Sequence, residues 1–295
     1  MKKTTVRSGI YRVFSGIILI LLAVAFLFPL YWIVTGAFKN GVDINNTKDI
    51  AWFPSEWVLT NFEKMFNKRT APLFEIFGIE GPRVPAAFRW LLNTVVMAVS
   101  AMLLTCLTAS MAGYALAKKR FRGRGILFAL IVCAMALPKQ VILIPLLREM
   151  SALNLYDSLW AVILPTVGWP FGVFLMKQFA EGIPAEILEA ATIDGASELR
   201  TFNTIVFPMV KPGVGALAIF TFINSWNDYF MQLVMLKSNA NSTISLGIAT
   251  LQAESSIDMG LLMAGAALAA APIITVFLIF QKYFTKGITM GAVKG

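Results

Sequence analysis

Residues Glu189 to Pro208 read EAATIDGASELRTFNTIVFP, and this stretch decides the predicted fold of the whole chain. The triplet Glu-Ala-Ala opens it, Gly195 follows after three residues, and the segment from Ile205 to Pro208 closes it after nine more. Charged residues are frequent here, whereas long apolar runs lie on both sides. The stretch is therefore predicted to be a short helical loop between two membrane-spanning segments.

The composition excludes an ordinary soluble domain. Of the 295 residues, 58% are hydrophobic and 14% are charged, and the mean hydropathy is +0.73, whereas globular domains carry about 25% charged residues. The absence of histidine excludes imidazole acid–base catalysis and His-ligated metals. Cys106 and Cys133 lie in apolar runs and are predicted to be small hydrophobes rather than a disulfide pair. We therefore predict no catalytic residue, no metal site and no cofactor on this chain.

Six apolar runs are each long enough to cross about 30 Å of hydrocarbon, which takes about 20 helical residues. Prolines in the third and fourth runs predict kinked or locally unwound helices. The first run lacks a small-residue cleavage site and is predicted to remain as an uncleaved membrane helix. The predicted spans are residues 13–35, 90–117, 126–147, 159–179, 213–236 and 261–284.

Basic residues predict the orientation, because short cytoplasmic loops are enriched in lysine and arginine. Four precede the first span, five lie between Lys118 and Arg124, and three lie at the end of the last span or beyond it, Lys282, Lys286 and Lys294. Both termini and the coupling loop, residues 180–212, are thus predicted to be cytoplasmic. The chain is divided into an N-terminus, residues 1–12, and a transmembrane domain, residues 13–295. The formal net charge of +9 is attributed to orientation and to anionic lipid, with no nucleic-acid partner.

The loop after the first span, residues 37–89, is predicted to be extracytoplasmic. Its charges are nearly balanced. It contains a predicted short amphipathic helix that follows an N-cap at Thr60 or Asn61. For residues 71–88, a solvated loop and a docking surface both remain open.

The spacing E-A-A, three residues, G, nine residues, I-x-x-P resembles the EAA loop of bacterial ABC importer permeases. One letter departs from the family pattern, because Phe207 stands where leucine is usual. Asp194 and Ala196, on either side of the glycine, are similar to the carbohydrate-uptake branch, which includes the smaller maltose permease subunit. The resemblance implies an all-α integral membrane fold, a six-transmembrane-helix type I ABC importer permease with a cytoplasmic EAA coupling helix.

The same resemblance implies that the EAA loop contacts a nucleotide-hydrolysing partner, with Glu189 facing an arginine of that partner. Pro184 is predicted at the first helical position, and Gly195 permits the positive φ that ends this helix. A second helix is predicted from Ser197. The residues assigned to coupling are Glu189, Ala190, Ala191, Asp194, Gly195, Ala196, Ile205 and Pro208.

The C-terminal segment ITMGAVKG resembles the tail of sugar permeases, which in the maltose system enters the ATPase interface. The resemblance therefore assigns four residues of this tail to an ATPase contact. They are Gly291, Val293, Lys294 and Gly295.

The best candidate for solute contact is the polar cluster NSWNDY, residues 224–229, in the fifth predicted span. Polar groups at membrane depth are costly and are therefore functional candidates. Three of them, at spacing i, i+3 and i+4, are predicted to share one helix face, and the two aromatic rings could pack against a sugar. The candidate residues are Asn224, Trp226, Asn227, Asp228 and Tyr229.

Two alternatives stay open around this cluster. Asp228 could instead hold the bundle together through interhelical hydrogen bonds. Lys139, in the third predicted span, either pairs with Asp228 or extends to the membrane surface.

The predicted function is a permease subunit of a binding-protein-dependent ABC importer for a sugar or oligosaccharide in the bacterial inner membrane. The chain has no G-x-x-x-x-G-K-[ST] motif, so ATP and Mg are expected on partner subunits. The expected partners are a sister permease in a heterodimer, two ATPase subunits, a solute-binding protein, the sugar and membrane lipid. The alternative is a permease for an amino acid, phosphate or glycerol phosphate. An intramembrane enzyme is disfavoured because no nucleophile–base pair is evident, and the coupling loop disfavours a receptor.

Overall fold

The computed structural model describes residues 3–46, 49–76, 79–254 and 258–292. The chain is mostly helical, with two small antiparallel sheets. Its contacts separate into two compact units, each described here by itself. One comprises Met1–Arg69 with Thr250–Ala270, and the other comprises Thr70–Ala249 with Ala271–Gly295.

The N-terminal part of the first unit contains α1 (Lys3–Ala37), α2 (Gly41–Asn45) and α3 (Thr60–Asn67). The predicted amphipathic helix is confirmed as α3, but the N-cap prediction is wrong. Leu59 occupies the cap and makes no side-chain hydrogen bond. The amide of Asn61 is instead buried, and its Nδ2 donates to the carbonyl oxygens of Ala37 and Lys39 at 3.0 and 2.8 Å. This side chain therefore joins α3 to the end of α1.

The second unit begins with two short strand pairs. Strand β1 (Thr70–Pro72) pairs with β4 (Arg83–Pro85), and β2 (Glu75–Ile76) pairs with β3 (Ile79–Glu80). Beyond them, Arg89 donates to the carbonyl oxygens of Leu73 and Ala240. These strands were not predicted, because two- and three-residue strands carry no readable periodicity.

The remaining helices follow in chain order, and a single π-helical turn, Phe202–Val206, joins α10 to α11. They are α4 (Ala86–Lys118), α5 (Arg124–Ala134), α6 (Lys139–Ala152), α7 (Trp160–Val167), α8 (Pro170–Glu181), α9 (Ala185–Ile193), α10 (Glu198–Thr201), α11 (Phe207–Met209), α12 (Lys211–Asn227), α13 (Tyr229–Met235), α14 (Ile244–Glu254) and α15 (Met259–Ala292). Helix α14 lies between the fifth and sixth predicted spans, where no helix was predicted.

Helix α4 is the central element of the second unit. It packs most extensively against α8 and α12. Small residues permit the close approach, as expected for helices packed in membranes. A Cβ atom built on Gly113 would lie 2.7 Å from backbone atoms of Met176 and Lys177 in α8. The backbones of α4 and α8 are therefore nearly in contact at this crossing.

Replacing Gly113 with Val is expected to separate α4 from α8, because the obstacle is backbone rather than a flexible side chain. Overpacking of this kind costs about 1–3 kcal/mol, so the purified protein should show a lower Tm. Gly125→Val is the matched control, since nothing lies within 4 Å of a Cβ atom at Gly125. Equal Tm values for the two variants would contradict close packing at Gly113.

Four helical segments among the described residues are long and apolar enough to cross a membrane. They are Tyr11–Ala37, Ala86–Lys118, Trp160–Glu181 and Met259–Gln281. Two bent pairs raise the number to six if each pair counts as one span, Arg124–Ala134 with Lys139–Ala152 and Glu198–Met209 with Lys211–Asn227. The first and second predicted spans agree with continuous helices, and the interruptions predicted in the third and fourth are confirmed, whereas the fifth was predicted as continuous and is not.

The third, fourth and fifth predicted spans are each interrupted, and the local residues differ at each interruption. The two halves of the third span are bent by 108°, and the break ends at Pro138, which lacks a backbone N–H. The fourth is interrupted at Gly168 and Trp169, just before Pro170. The fifth, predicted as continuous over residues 213–236, ends at Asn227, and Asp228 caps the next helix. An aspartate side chain can satisfy a helix start, so it favours a new helix here.

Candidate coupling loop and solute cavity

The EAA stretch forms two short helices joined at a left-handed glycine. Helix α9 ends in a Schellman motif: the Ala196 N–H donates to the Ala191 carbonyl at 3.0 Å, and the Gly195 N–H donates to the Thr192 carbonyl at 3.1 Å. Gly195 has φ +73°, as the sequence predicts. Pro184 lies at the N-cap, one position before its predicted place.

The tip of this helix pair exposes apolar side chains. Ile193 is 85% exposed and Leu199 is 62% exposed. Glu189, Ala190 and Asp194 are also exposed, whereas Ala191 is buried against its own chain. The apolar side chains of Ile193 and Leu199 are therefore candidates for burial against a partner.

Two lysines at the end of α4 bind the coupling loop on both sides of α9. Lys118 Nζ donates to the carbonyl oxygens of Glu181 and Ile183 at 3.1 and 2.6 Å, just before α9. Lys119 Nζ pairs with Glu198 of α10 at 2.5 Å. Burial alone would lower the pKa of Lys119, but its bonds with Glu198 and Tyr114 raise that pKa above the ordinary value. The loop is therefore fastened to α4 as well as to its chain neighbours.

A cleft of about 220 Å³ lies between α4 and the coupling loop. Glu189 lines it, together with Tyr114, Lys119 and Glu198. Two carboxylates line the cleft. Glu198 pairs with Lys119, whereas no cation lies within salt-bridge distance of Glu189 among the described residues.

The closing residues of the EAA stretch mark a change of direction. Ile205 is half-buried in the π-helical turn, and Pro208 is exposed in α11. The helical segments Glu198–Met209 and Lys211–Asn227 are bent by 78° relative to each other. Phe207, the departure from the family pattern, contacts Phe202 with ring centroids 6.0 Å apart. The aromatic ring of Phe207 therefore takes part in the packing at the bend, where the family has the smaller leucine side chain.

The predicted ATPase-contacting tail is only partly described. Gly291 lies in the last described turn of α15. Val293, Lys294 and Gly295 lie outside the described residues.

A cavity of about 320 Å³ lies where the three helix breaks of the second unit meet. Lys139, Trp169 and Asp228 line it, one from each break. Thr166, Asn224 and Ser225 add polar groups, and most of the remaining lining is apolar. Ligand sites in membrane transporters are often built at such discontinuous helices.

Lys139 and Asp228 form an ion pair across two of these breaks, with Nζ and Oδ2 3.1 Å apart. Of the two alternatives for Lys139, pairing is the one observed. The other Asp228 oxygen accepts a hydrogen bond from the Met231 N–H at 3.3 Å. Asp228 is thereby held by both α6 and α13, and it also borders the cavity. Bundle contact and solute contact are therefore compatible for this residue.

The predicted polar cluster is only partly brought together. Asn224 and Asp228 line the cavity, but Trp226, Asn227 and Tyr229 do not. Trp226 is 1% exposed and packs on Phe222 at 5.4 Å, so it is a core residue in this structure. Asn224 and Asp228 face the same cavity, but Asn227 does not, so the prediction that all three share one face is wrong.

Three residues of these sites were missed from the sequence. Trp169 supplies the aromatic ring that Trp226 was expected to supply, and the Trp-Pro step at the start of α8 was a readable sign of a break. Ser225 lines the cavity as well. Lys118 had been counted only as an orientation signal.

Within the four described ranges, no group of three or more His, Cys, Asp or Glu side chains is arranged to hold a metal ion. Both cysteines are free, Cys106 buried and Cys133 exposed.

Residues 106–290 match the family described as the binding-protein-dependent transport system inner membrane component. The chain belongs to this family. The matched segment contains the coupling loop and every lining residue of the cavity. Family membership and the apolar helices make this a multi-pass membrane protein and a transport component.

Similar permeases cover nearly the whole chain. The arabinooligosaccharides transport system permease protein AraQ of Bacillus subtilis is 32% identical over 97% of each chain. The maltodextrin transport system permease protein MdxG of the same organism is 31% identical over 96% of each chain. A solved bacterial ABC transporter involved in the import of the acidic polysaccharide alginate superposes with a TM-score of 0.78 at 20% identity, over 94% of this chain and 98% of that one. The last similarity concerns the fold alone.

Proposed function

We propose that this chain is one of two permease subunits that enclose the solute path of an ATP-driven importer for a sugar or oligosaccharide. The observation that carries the proposal is the exposed helix pair around Gly195, with apolar Ile193 and Leu199 at its tip and Glu189 beside it. Relatives named for arabinooligosaccharides and maltodextrin support the substrate class.

In the proposed mechanism, two ATPase subunits bind ATP, approach each other and draw the coupling loops of both permeases together. Lys118 and Lys119 pass this displacement to α4, because they fasten the loop to the end of that helix. Helix α4 packs closely on α8 and α12, so the three move as a group. The path then opens to the outside, where a solute-binding protein delivers the solute, and ATP hydrolysis resets the cycle. ATP and Mg are bound by the partners.

The proposal places the termini and the coupling loop in the cytoplasm, and it is tested by thiol labelling of Ile193→Cys. Cys133 is exposed, so Cys133→Ser provides the background, while Cys106 is buried. In sealed inside-out vesicles an impermeant maleimide should label position 193, and a bifunctional reagent should cross-link it to the ATPase subunit.

Leu59→Cys is the matched control, because Leu59 is 59% exposed on the loop proposed to face outside. It should be labelled in right-side-out vesicles only. Labelling of position 193 from the outside, or no cross-link to a nucleotide-hydrolysing subunit, would refute the coupling role.

A further inference from the structure

The charged groups of the solute cavity neutralise each other. Among the described residues that line it, only Lys139 and Asp228 carry charge, and they are 3.1 Å apart. Asp228 is the less accessible partner, with 19% side-chain exposure against 48% for Lys139. An entering solute therefore meets a cavity without net charge.

We infer that this cavity binds one uncharged glycosyl unit of the solute and discriminates against a uronate unit. The inference rests on the proposed function and names the substrate class of the same path. A volume of about 320 Å³ is near the lower end of ligand pockets, which span about 300–1,000 Å³. It fits one sugar ring better than a longer oligosaccharide.

The lining supplies the groups that a neutral sugar needs. Trp169 caps α8 at one side of the cavity, and an indole face packs against the C–H face of a sugar ring. The Asp228 carboxylate accepts hydrogen bonds from hydroxyl groups, and Asn224 both donates and accepts. Lys139 donates from its charged end while remaining paired.

A buried hydroxyl group gives independent support. Ser225 belongs to the cavity lining, and its Oγ is buried without a hydrogen-bond partner among the described residues. A buried hydroxyl group without a partner is unfavourable, and rotation of this side chain toward the cavity would let a ligand hydroxyl group provide the missing partner. The feature indicates a polar occupant rather than an acyl chain.

The ion pair also explains the discrimination. A uronate would add a second carboxylate beside Asp228, and only one cation faces them from the described lining. An unpaired charge at membrane depth is costly, and like charges repel at short range. The fold shared with the alginate importer does not decide this point. The lining side chains, and not the helix arrangement, determine whether a site accepts a charged or an uncharged ligand.

The test uses the assembled permease–ATPase complex in nanodiscs without the solute-binding protein. Equilibrium binding is measured for radiolabelled arabinotriose and maltotriose as neutral probes and for a mannuronate trisaccharide as the anionic probe. The wild-type complex should bind a neutral probe at least tenfold more tightly than the anionic one. Tighter binding of the anionic probe, or no binding of either neutral probe, would overturn the inference.

Charge variants sharpen the test. Asp228→Asn should shift the anionic-to-neutral affinity ratio at least tenfold toward the anionic probe, and Lys139→Gln should shift it the other way. The double variant, again uncharged, should return within threefold of the wild-type ratio. Asparagine still caps a helix, so α13 is retained in Asp228→Asn. An unchanged ratio in both single variants would show that the pair does not face the solute.

Aromatic variants test the ring. Trp169→Ala should weaken binding of the neutral probes at least tenfold, and Trp169→Phe should recover part of the loss. Trp160→Ala is the matched control, since Trp160 is 49% exposed at the start of α7 and does not line the cavity. Equal affinities for Trp169→Ala and Trp160→Ala would remove Trp169 from the site. This result would leave the coupling proposal untouched, because the cross-link at position 193 measures it separately.

Discussion

Replacing Gly195 with Val is expected to reduce sugar uptake at least twentyfold while the protein remains in the membrane. Gly195 has φ +73°, and no atom lies within 4 Å of a Cβ atom built there, so the obstacle is backbone strain alone. A β-branched residue in the left-handed region costs at least about 1–2 kcal/mol. Relief of this strain breaks the Schellman motif and turns α9 away from α10.

Uptake of a labelled oligosaccharide, normalised to membrane abundance by immunoblot, measures the effect. Gly123→Val is the matched control, because Gly123 has φ +83° and is equally open, but it lies between α4 and α5. This variant carries the same backbone strain outside the coupling loop and should keep most of its uptake. Equal losses in the two variants would mean that strain, and not the geometry of the coupling loop, limits transport.

Glu189→Ala is expected to reduce uptake and ligand-stimulated ATP hydrolysis by about 10- to 150-fold. Hydrogen bonds to charged groups contribute about 1.5–3 kcal/mol, and each 1.4 kcal/mol is a factor of ten. Glu189 is exposed at the cleft beside α4, and no cation lies within salt-bridge distance of it among the described residues. Its carboxylate is therefore available to a cation of the ATPase.

Glu186→Ala is the control for Glu189→Ala. Glu186 is also an exposed glutamate of α9, but it lies in the first turn and does not line the cleft. We expect its uptake to stay within twofold of wild type. Similar losses at both positions would indicate that the overall acidity of the loop matters rather than a specific contact.

The coupling loop shows how far local sequence can lead. Its turn at Gly195, the start of its second helix at Ser197 and its bend before Pro212 all depend on residues close in the chain. Glycine, serine and proline have strong positional preferences in helices, so the pattern predicts the geometry. The clasp formed by Lys118 was not predictable in this way, because its carbonyl partners lie more than 60 residues later.

The solute cavity shows where local sequence reasoning stops. The polar cluster in the fifth span contributes Asn224, Ser225 and Asp228 to the cavity lining, but its orientation was predicted by assuming one continuous helix. The break at Asp228 redirects the residues that follow it, and Trp226, before the break, faces the core side of α12. The aromatic ring at the cavity comes from Trp169, in a different span.

The amino-acid sequence by itself determined that this chain crosses a membrane several times, belongs among importer permeases and carries a bent helix pair between its spans. Those properties follow from hydropathy, charge distribution and residue spacing, which can be read within segments of about 20 residues. Only the tertiary structure decided that Lys139 meets Asp228 and that three broken helices enclose a cavity without net charge. Such contacts join residues far apart in the chain, and their geometry depends on how whole helices pack, which no local pattern specifies.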